Sequence, residues 1–376
     1  MKFENPQSRK IFKIAAFLES DRLDLSDSVF LGLNFESENI KWEKYELKDA
    51  TFLGCHFTLE EEIKLRRSGA MIYNSPNHPL PYNPFRHSLY TWQELMEGFD
   101  ELEDNSVDKK IYEHFRLEQF NPSINEALWQ RIHDHAIDEA LRELLKFDEQ
   151  GMPQKKIVGI MGGHSKLRTD EFYYKAARTA QLLAQNDYFI ASGGGPGIME
   201  AANLGAYMAK YSEKDLKEAI RMMSKVPKYD QPLYHTLALT VLDKYPDGTD
   251  NLAIPTWFYG HEPSNLFASH IAKYFSNGLR EDTLLAICLH GIIYAPGSAG
   301  TTQEIFMDAT QNHYGTFNFH SPMVFLGKYR YEIQTSIYPL LKQLAWKRAY
   351  YDLLYLSDRP KDVLKFLKDN PPLLAE

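Results

Sequence analysis

Residues 155–210 read KKIVGIMGGHSKLRTDEFYYKAARTAQLLAQNDYFIASGGGPGIMEAANLGAYMAK. KKIVGIMGG is apolar and β-branched until it meets its glycines, as a strand entering a turn would be. DEFYYKAARTAQLLAQ places apolar residues at helical spacing and contains no breaker. DYFIASGGG repeats the strand and turn, and PGIMEAANLGAYMAK repeats the helix. Strand, turn and helix in alternation is the pattern of parallel βαβ units.

The alternation resumes further on. NLAIPTWFY (251–259) predicts a strand and SNLFASHIAKYF (264–275) a helix. HGIIYAPGSAG (290–300) predicts a strand with a third glycine turn, and TTQEIFMDATQNHY (301–314) its helix. SPMVFLG (321–327) and LLYLSD (353–358) predict two more strands, each with a helical stretch behind it, 331–347 and 360–369. Residues near 211–250 fit less well and read as an insertion over the sheet. The expected fold class is α/β: a Rossmann-like doubly wound parallel sheet over 151–376, with an additional N-terminal α+β segment.

That segment, 1–150, reads as a mixed accessory region, helical towards its end. Asp27–Gly32 (DSVFLG) echoes Asp49–Gly54 (DATFLG), as two similar strands of a small β unit would. Two copies fall short of the three or more that a repeat array needs. The proline-rich stretch 74–86 reads as an ordered loop or linker, and 124–147 as a long amphipathic helix. The polar DEQGMPQKK that follows is the expected domain boundary.

The chain has 376 residues and a formal net charge of -9. Such a balance lacks the basic footprint of a nucleic-acid partner. No window approaches the ~18 apolar residues of a membrane span, so no membrane partner is expected. Cys55 and Cys288 fit no metal or redox spacing. No metal site and no cofactor are expected. Two lone cysteines and no signal-peptide layout make a cytoplasmic location the expectation.

Three glycine clusters each fall between an expected strand and an expected helix: Gly159–Ser165, Ser192–Gly197 and Pro296–Glu304. Loops at the carboxyl ends of parallel strands line the ligand crevice. A helix starting there offers unpaired N–H groups and the positive end of its dipole, and glycine lets an anion approach the backbone. Gly162, Gly163, Gly193, Gly194, Gly195, Gly197, Gly297, Ser298, Ala299, Gly300, Thr301 and Thr302 are therefore the expected phosphate and nucleotide contacts. Tight βα turns also use glycine for steric reasons alone. Thr301 and Glu304 form a T-x-x-E capping-box pattern that needs no function. No G-x-x-x-x-G-K-[ST] is present. The first turn is not G-x-G-x-x-G, and the second strand ends in Ala191-Ser192 rather than an acid. P-loop and NAD chemistry are thereby set aside.

PGSAGTTQE, Pro296–Glu304, resembles the PGGxGTxxE signature of the Lonely Guy family of cytokinin-activating phosphoribohydrolases, formerly labelled lysine decarboxylases. SGGGPGIME, Ser192–Glu200, resembles the family's second glycine motif, in the form seen in nucleotide 5′-monophosphate nucleosidases. The resemblance covers about 155–368. It implies a Rossmann-like fold, a dimer or larger homo-oligomer, and hydrolysis of a nucleoside 5′-monophosphate, AMP-like, to free base and ribose 5-phosphate. The family's glutamate maps onto Glu304, and Arg280 stands near the place of its pocket arginine. The chain departs from the family at Ser298, in place of a glycine, and at Arg280-Glu281, where Arg-Lys is frequent.

In this reading Glu304 stabilises oxocarbenium character on the ribose and orients the attacking water. Glu200, matching it in the second loop's helix, is the candidate second carboxylate. Arg280 holds phosphate or ribose. Both glutamates also sit where a helix dipole favours acids, and Arg280 reads equally as a helix C-terminal cap. The stretch Tyr259–Asn265, with His261 and Glu262, follows the 251–259 strand onto the same crevice edge and is expected to shape the base pocket. His261 and Glu262 are not at metal-site spacing, and each singly also reads as an ordinary loop residue. A non-catalytic nucleotide-binding or sensor protein is the alternative. A decarboxylase is disfavoured, since no lysine stands in the glycine loops for a Schiff base.

Overall fold

The echo between 27–32 and 49–54 is a structural repeat. Strands β1 (Arg9–Ile11), β2 (Ser28–Leu31), β3 (Thr51–Leu53) and β4 (Met71–Tyr73) lie in that order and all run parallel. The register pairs Val29 with Thr51, Phe30 with Phe52 and Leu31 with Leu53, the residues that the echo aligns. Phe30 stacks on Phe52 at 4.5 Å, and Phe35 on Phe57 at 5.2 Å. Such ring pairs add ~0.5–1.5 kcal/mol each beyond area burial. Gly32 and Gly54 close equivalent turns at φ 61° and 63°, where a Cβ is disfavoured. The four strands form one parallel sheet in chain order, although only two of them share the sequence echo.

The computed structural model describes residues 9–76, 79–101 and 103–375. Asn77 and His78 of the proline-rich stretch lie outside the described residues. The chain divides into two compact units, Met1–Ser88 with Phe120–Ala140, and Leu89–Gln119 with Leu141–Glu376. The single cut expected after residue 150 is thereby corrected, because 89–119 belongs to the second unit. Two sets of contacts explain this: Tyr90 pairs antiparallel with Ile271, and the buried Asp108 carboxylate accepts from Lys273 Nζ (2.7 Å), Trp257 Nε1 (2.7 Å) and Ser264 Oγ (2.7 Å).

The second unit is built on β5 (Lys156–Met161), β6 (Tyr188–Ser192), β7 (Leu252–Ala253), β8 (His270–Ile271) and β9 (Ile292–Tyr294). After β10 (Phe319–His320) come β11 (Met323–Leu326), β12 (Leu354–Ser357) and β13 (Leu373–Leu374); β10 and β13 pair separately as a small antiparallel ribbon. The main sheet has the order β12-β11-β9-β5-β6-β7-β8 and every pairing in it is parallel. Its central strands are apolar nearly throughout because both faces are covered. Val158, Ile160, Ile190, Ile293, Val324 and Leu326 meet the helices Glu171–Ala184, Ile198–Tyr207 and Pro360–Asp369 in one buried cluster. Alternation turns Gly159 to the other face, where a Cβ would stand 2.9 Å from Cys288 Sγ behind helix Asn277–Ile287. The sheet is doubly wound, and its order reverses direction between β5 and β9.

Helices Glu213–Met223 and Tyr234–Lys244 fill the 211–250 interval, and Leu216, Ala219, Met223, Ala238 and Val241 join the same cluster. The helix expected over 264–275 is absent. That stretch is extended and carries β8, with the helix beginning only at Asn277. Phe267, Ile271 and Tyr274 have helical spacing, but Ile271 exchanges backbone hydrogen bonds of 2.9 Å with Tyr90. The stretch 331–347 is also not one helix: a π-helical turn Tyr329–Gln334 stops at Ser336 (φ 53°) before helix Ile337–Leu344.

Candidate functional site

The carboxyl ends of β9, β5, β6 and β7 send four loops to one edge of the sheet. At the reversal point the loops touch: Gly163 N–H donates to Pro296 O and Ile198 N–H to Gly163 O, both at 3.2 Å. Several of the glycines serve this packing. A Cβ on Gly162 would reach Ile198 at 2.6 Å, and one on Gly194 would reach Pro255 at 2.8 Å. One on Gly197 would reach Gly163 O at 2.5 Å. Others make room for larger side chains, since a Cβ on Gly193 would overlap the Arg280 guanidinium and one on Gly195 the Glu262 carboxylate.

A cleft opens among these loops. Of the expected phosphate contacts, Gly162, Gly163, Gly193, Ser298, Gly300 and Thr301 line it. Gly194, Gly195, Gly197, Gly297, Ala299 and Thr302 are not on its wall; they pack the loops behind it or begin the helix. Helix Ala299–Tyr314 has Ser298 at its N-cap with no side-chain cap. Its first amides therefore lack an intrahelical partner and carry the positive end of the dipole. The T-x-x-E pattern is not a capping box, because the helix starts two residues before Thr301. Nothing stands within 4 Å of a Cβ position on Gly300, so this turn faces open space.

Arg280 and Glu304 meet on the wall. Arg280 lies in the first turn of helix Asn277–Ile287 and is buried, which corrects the C-terminal cap reading. Its Nε donates to Ile254 O at 2.8 Å, its Nη2 to Gly193 O at 3.4 Å and its Nη1 to Glu304 Oε1 at 3.2 Å. One guanidinium thus ties the β6 and β7 ends to the helix behind β9. Glu304 projects from the second turn, on the side of Thr301. Burial lifts its carboxyl above the usual glutamate range, against the opposing pull of Arg280.

Glu200 does not join them. It is buried behind the second loop, where Arg168 grips it with Nε (2.9 Å) and Nη2 and Tyr173 donates its hydroxyl at 2.7 Å. Burial pushes the Glu200 carboxyl up, but Arg168 more than offsets this and holds it below the usual range. Its role as a second pocket carboxylate is corrected to that of a structural anchor. His261 also turns away: it faces Tyr112 at a ring distance of 5.6 Å, with Asp104 at 3.9 Å, and is not on the cleft wall. Burial lowers its imidazole pKa. Glu262 and Tyr259 of the expected base-pocket stretch do line the cleft, as do Thr256 and Glu281, which no sequence signal singles out. Glu281 Oε2 accepts from Gln303 Nε2 at 2.8 Å. Among the described residues no group of three or more His, Cys, Asp or Glu side chains is arranged to hold a metal ion, and no helix is long and apolar enough to cross a membrane.

One turn beyond Glu304, Asp308 is buried without an ion-pair partner among the described residues. Its oxygens accept from Tyr294 Oη at 2.8 Å and Asn312 Nδ2 at 3.0 Å. Burial pushes its carboxyl up to about 7, with the Tyr294 bond opposing. A carboxyl raised in the fold binds more protons folded than unfolded, so stability falls as pH rises from about 4 to 7. Asp308→Asn removes this ionisation. The variant is expected to resist denaturant better than the parent at pH 8, by ~2–4 kcal/mol, with little difference near pH 4. Equal or lower stability of the variant at pH 8 would contradict the assignment.

Residues 155–211 match the model of the SLOG cluster4 family. The match bears out the likeness to Lonely Guy-type proteins over the segment that carries the first two glycine loops. A molybdenum cofactor binding protein from the phototrophic bacterium Rippkaea orientalis is similar at 15% identity, with a TM-score of 0.36, over 57% of this chain and 97% of that one. The molybdenum cofactor carrier protein of Chlamydomonas reinhardtii is similar at 14% identity, with a TM-score of 0.37, over 57% and 98%. No curated protein matches the sequence.

Proposed function

We propose that the chain hydrolyses the N-glycosidic bond of a nucleoside 5′-monophosphate, releasing free base and ribose 5-phosphate. The observation that carries this reading is the buried Arg280–Glu304 pair beside the uncapped start of helix Ala299–Tyr314. The helix start suits a phosphate dianion, with backbone amides and the Ser298 and Thr301 hydroxyls as donors. A ribose reaching inward from that phosphate comes to Glu304, three residues on along the same helix side.

The bond that breaks joins C1′ to the base nitrogen, and its electron pair leaves with the base, which is then protonated. Positive charge develops on C1′ and the ring oxygen. An ionised Glu304 stabilises that charge and takes the proton of the water that adds to C1′. Arg280, fixed by two backbone carbonyls, sets the position of the carboxylate and offers its two remaining N–H groups to ribose or phosphate.

Incubation with a panel of nucleoside 5′-monophosphates, with base release followed by chromatography, tests the proposal. Release from at least one nucleotide, lost in Glu304→Gln, is the expected result. Binding without release would assign the site to a nucleotide-binding protein instead. The ionisation of Glu304 gives a second prediction. Arg280 is the main group opposing its burial, so Arg280→Gln should drive its carboxyl further up. The acid limb of kcat/KM then moves to higher pH, beside an overall loss of rate. A limb that stays in place would remove Glu304 from the base role.

A further inference from the structure

The cleft wall holds three carboxylates, and two of them are matched: Glu304 by Arg280 and Glu281 by Gln303. Among the described residues nothing donates to the Glu262 carboxylate, although it lines the cleft. It is held in place nonetheless. Its amide donates to Gly260 O at 3.1 Å, and its carboxylate lies where a side chain on Gly195 would be. On the other side of that turn Tyr259 lines the cleft, 65% exposed, with its hydroxyl accepting from Asn277 Nδ2 at 2.9 Å. The ring is tethered at its hydroxyl and packs T-shaped with Phe258 at 5.3 Å, and most of its area stays exposed.

The sheet order says which end of a nucleotide arrives here. The phosphate loop follows β9, and Tyr259 and Glu262 follow β7, three strands along the edge in the order β9-β5-β6-β7. A nucleotide with its phosphate on the start of helix Ala299–Tyr314 and its ribose at Glu304 extends its base towards the β7 loop.

Resting on the phosphoribohydrolase reading for that orientation, we infer that Glu262 and Tyr259 form a base-selecting subsite for a ring with two adjacent N–H donors, making guanosine 5′-monophosphate the preferred nucleotide. An ionised carboxylate only accepts, through two oxygens side by side. Guanine presents N1–H and the 2-amino group side by side and satisfies both. Hypoxanthine lacks the amino group. Adenine offers one amino donor beside a ring nitrogen whose lone pair meets the second oxygen. Uracil places its N3–H between two carbonyls. Tyr259 stacks on any of these rings and adds affinity without choosing among them.

The test compares the 5′-monophosphates of guanosine and inosine, which differ by one amino group, with that of adenosine. It measures both binding by calorimetry and kcat/KM for base release, in the parent, Glu262→Gln and Glu262→Ala. Guanosine monophosphate should bind about ten- to hundredfold more tightly than inosine monophosphate. That ratio should collapse towards one in both variants. Equal binding of the two nucleotides by the parent, or a preference that survives both substitutions, overturns the inference while any base release keeps the hydrolase reading. A Glu262-dependent preference in binding with no base release does the reverse.

Discussion

Exchanging Glu304 for glutamine is expected to slow base release by about 10²- to 10⁴-fold, the usual range for loss of a general base, with nucleotide binding and fold retained. The substitution is nearly isosteric, and the glutamine carbonyl can still accept from Arg280 Nη1, which stands 3.2 Å from Glu304 Oε1. Stability should not suffer, because burial already disfavours the charged form of this side chain. The loss should therefore appear in kcat and kcat/KM alike, with KM little changed, the mark of an interaction made only in the transition state. The acid limb of the pH profile should vanish with the carboxyl that causes it. A residual rate above one tenth of the parent's would exclude Glu304 as the base, whatever its position.

The strands of the second unit were readable because the sheet is covered on both faces. KIVGIM, YFIAS, IIY and MVFL are apolar runs of strand length, each closed by glycine, proline or serine. Local pattern fails where the partner is distant. The residues around Ile271 satisfy helical spacing as well as strand pairing, and Tyr90, nearly two hundred residues upstream, decides between them. Asp108 belongs to the second unit through Lys273 and Trp257, and nothing in its own neighbourhood announces them. The site divides in the same way. Glu304 and the helix start follow from a motif, and Glu262 and Tyr259 from their place after a parallel strand, whereas Thr256 and Glu281 reach the cleft from positions that no such signal marks. The echo at 27–32 and 49–54 held more than two strands' worth of information, since its alignment is also the register of their pairing.

Glu200 shows how position on a helix misleads without its partner. It occupies the first turn of helix Ile198–Tyr207, as an anion-site carboxylate would, yet Arg168 closes over it from the end of the first βα loop. That guanidinium also donates to Val226 O (3.4 Å) and Tyr234 O (3.1 Å), and lies 3.4 Å from the Tyr234 ring centroid. The first loop, the second loop's helix and the 211–250 insertion are thus pinned at one buried ion pair. Arg168→Ala should destabilise the protein by about 3–5 kcal/mol, the cost of leaving a buried charge without its partner. The loss should shrink at acid pH, where Glu200 is protonated and no longer needs the guanidinium. Arg168→Met combined with Glu200→Gln removes both charges and should recover most of the stability. The double variant also decides the role of Glu200. If the carboxylate is an anchor, base release by the double variant stays within about tenfold of the parent. A loss as deep as that of Glu304→Gln, in a variant that remains folded, would return Glu200 to the chemistry.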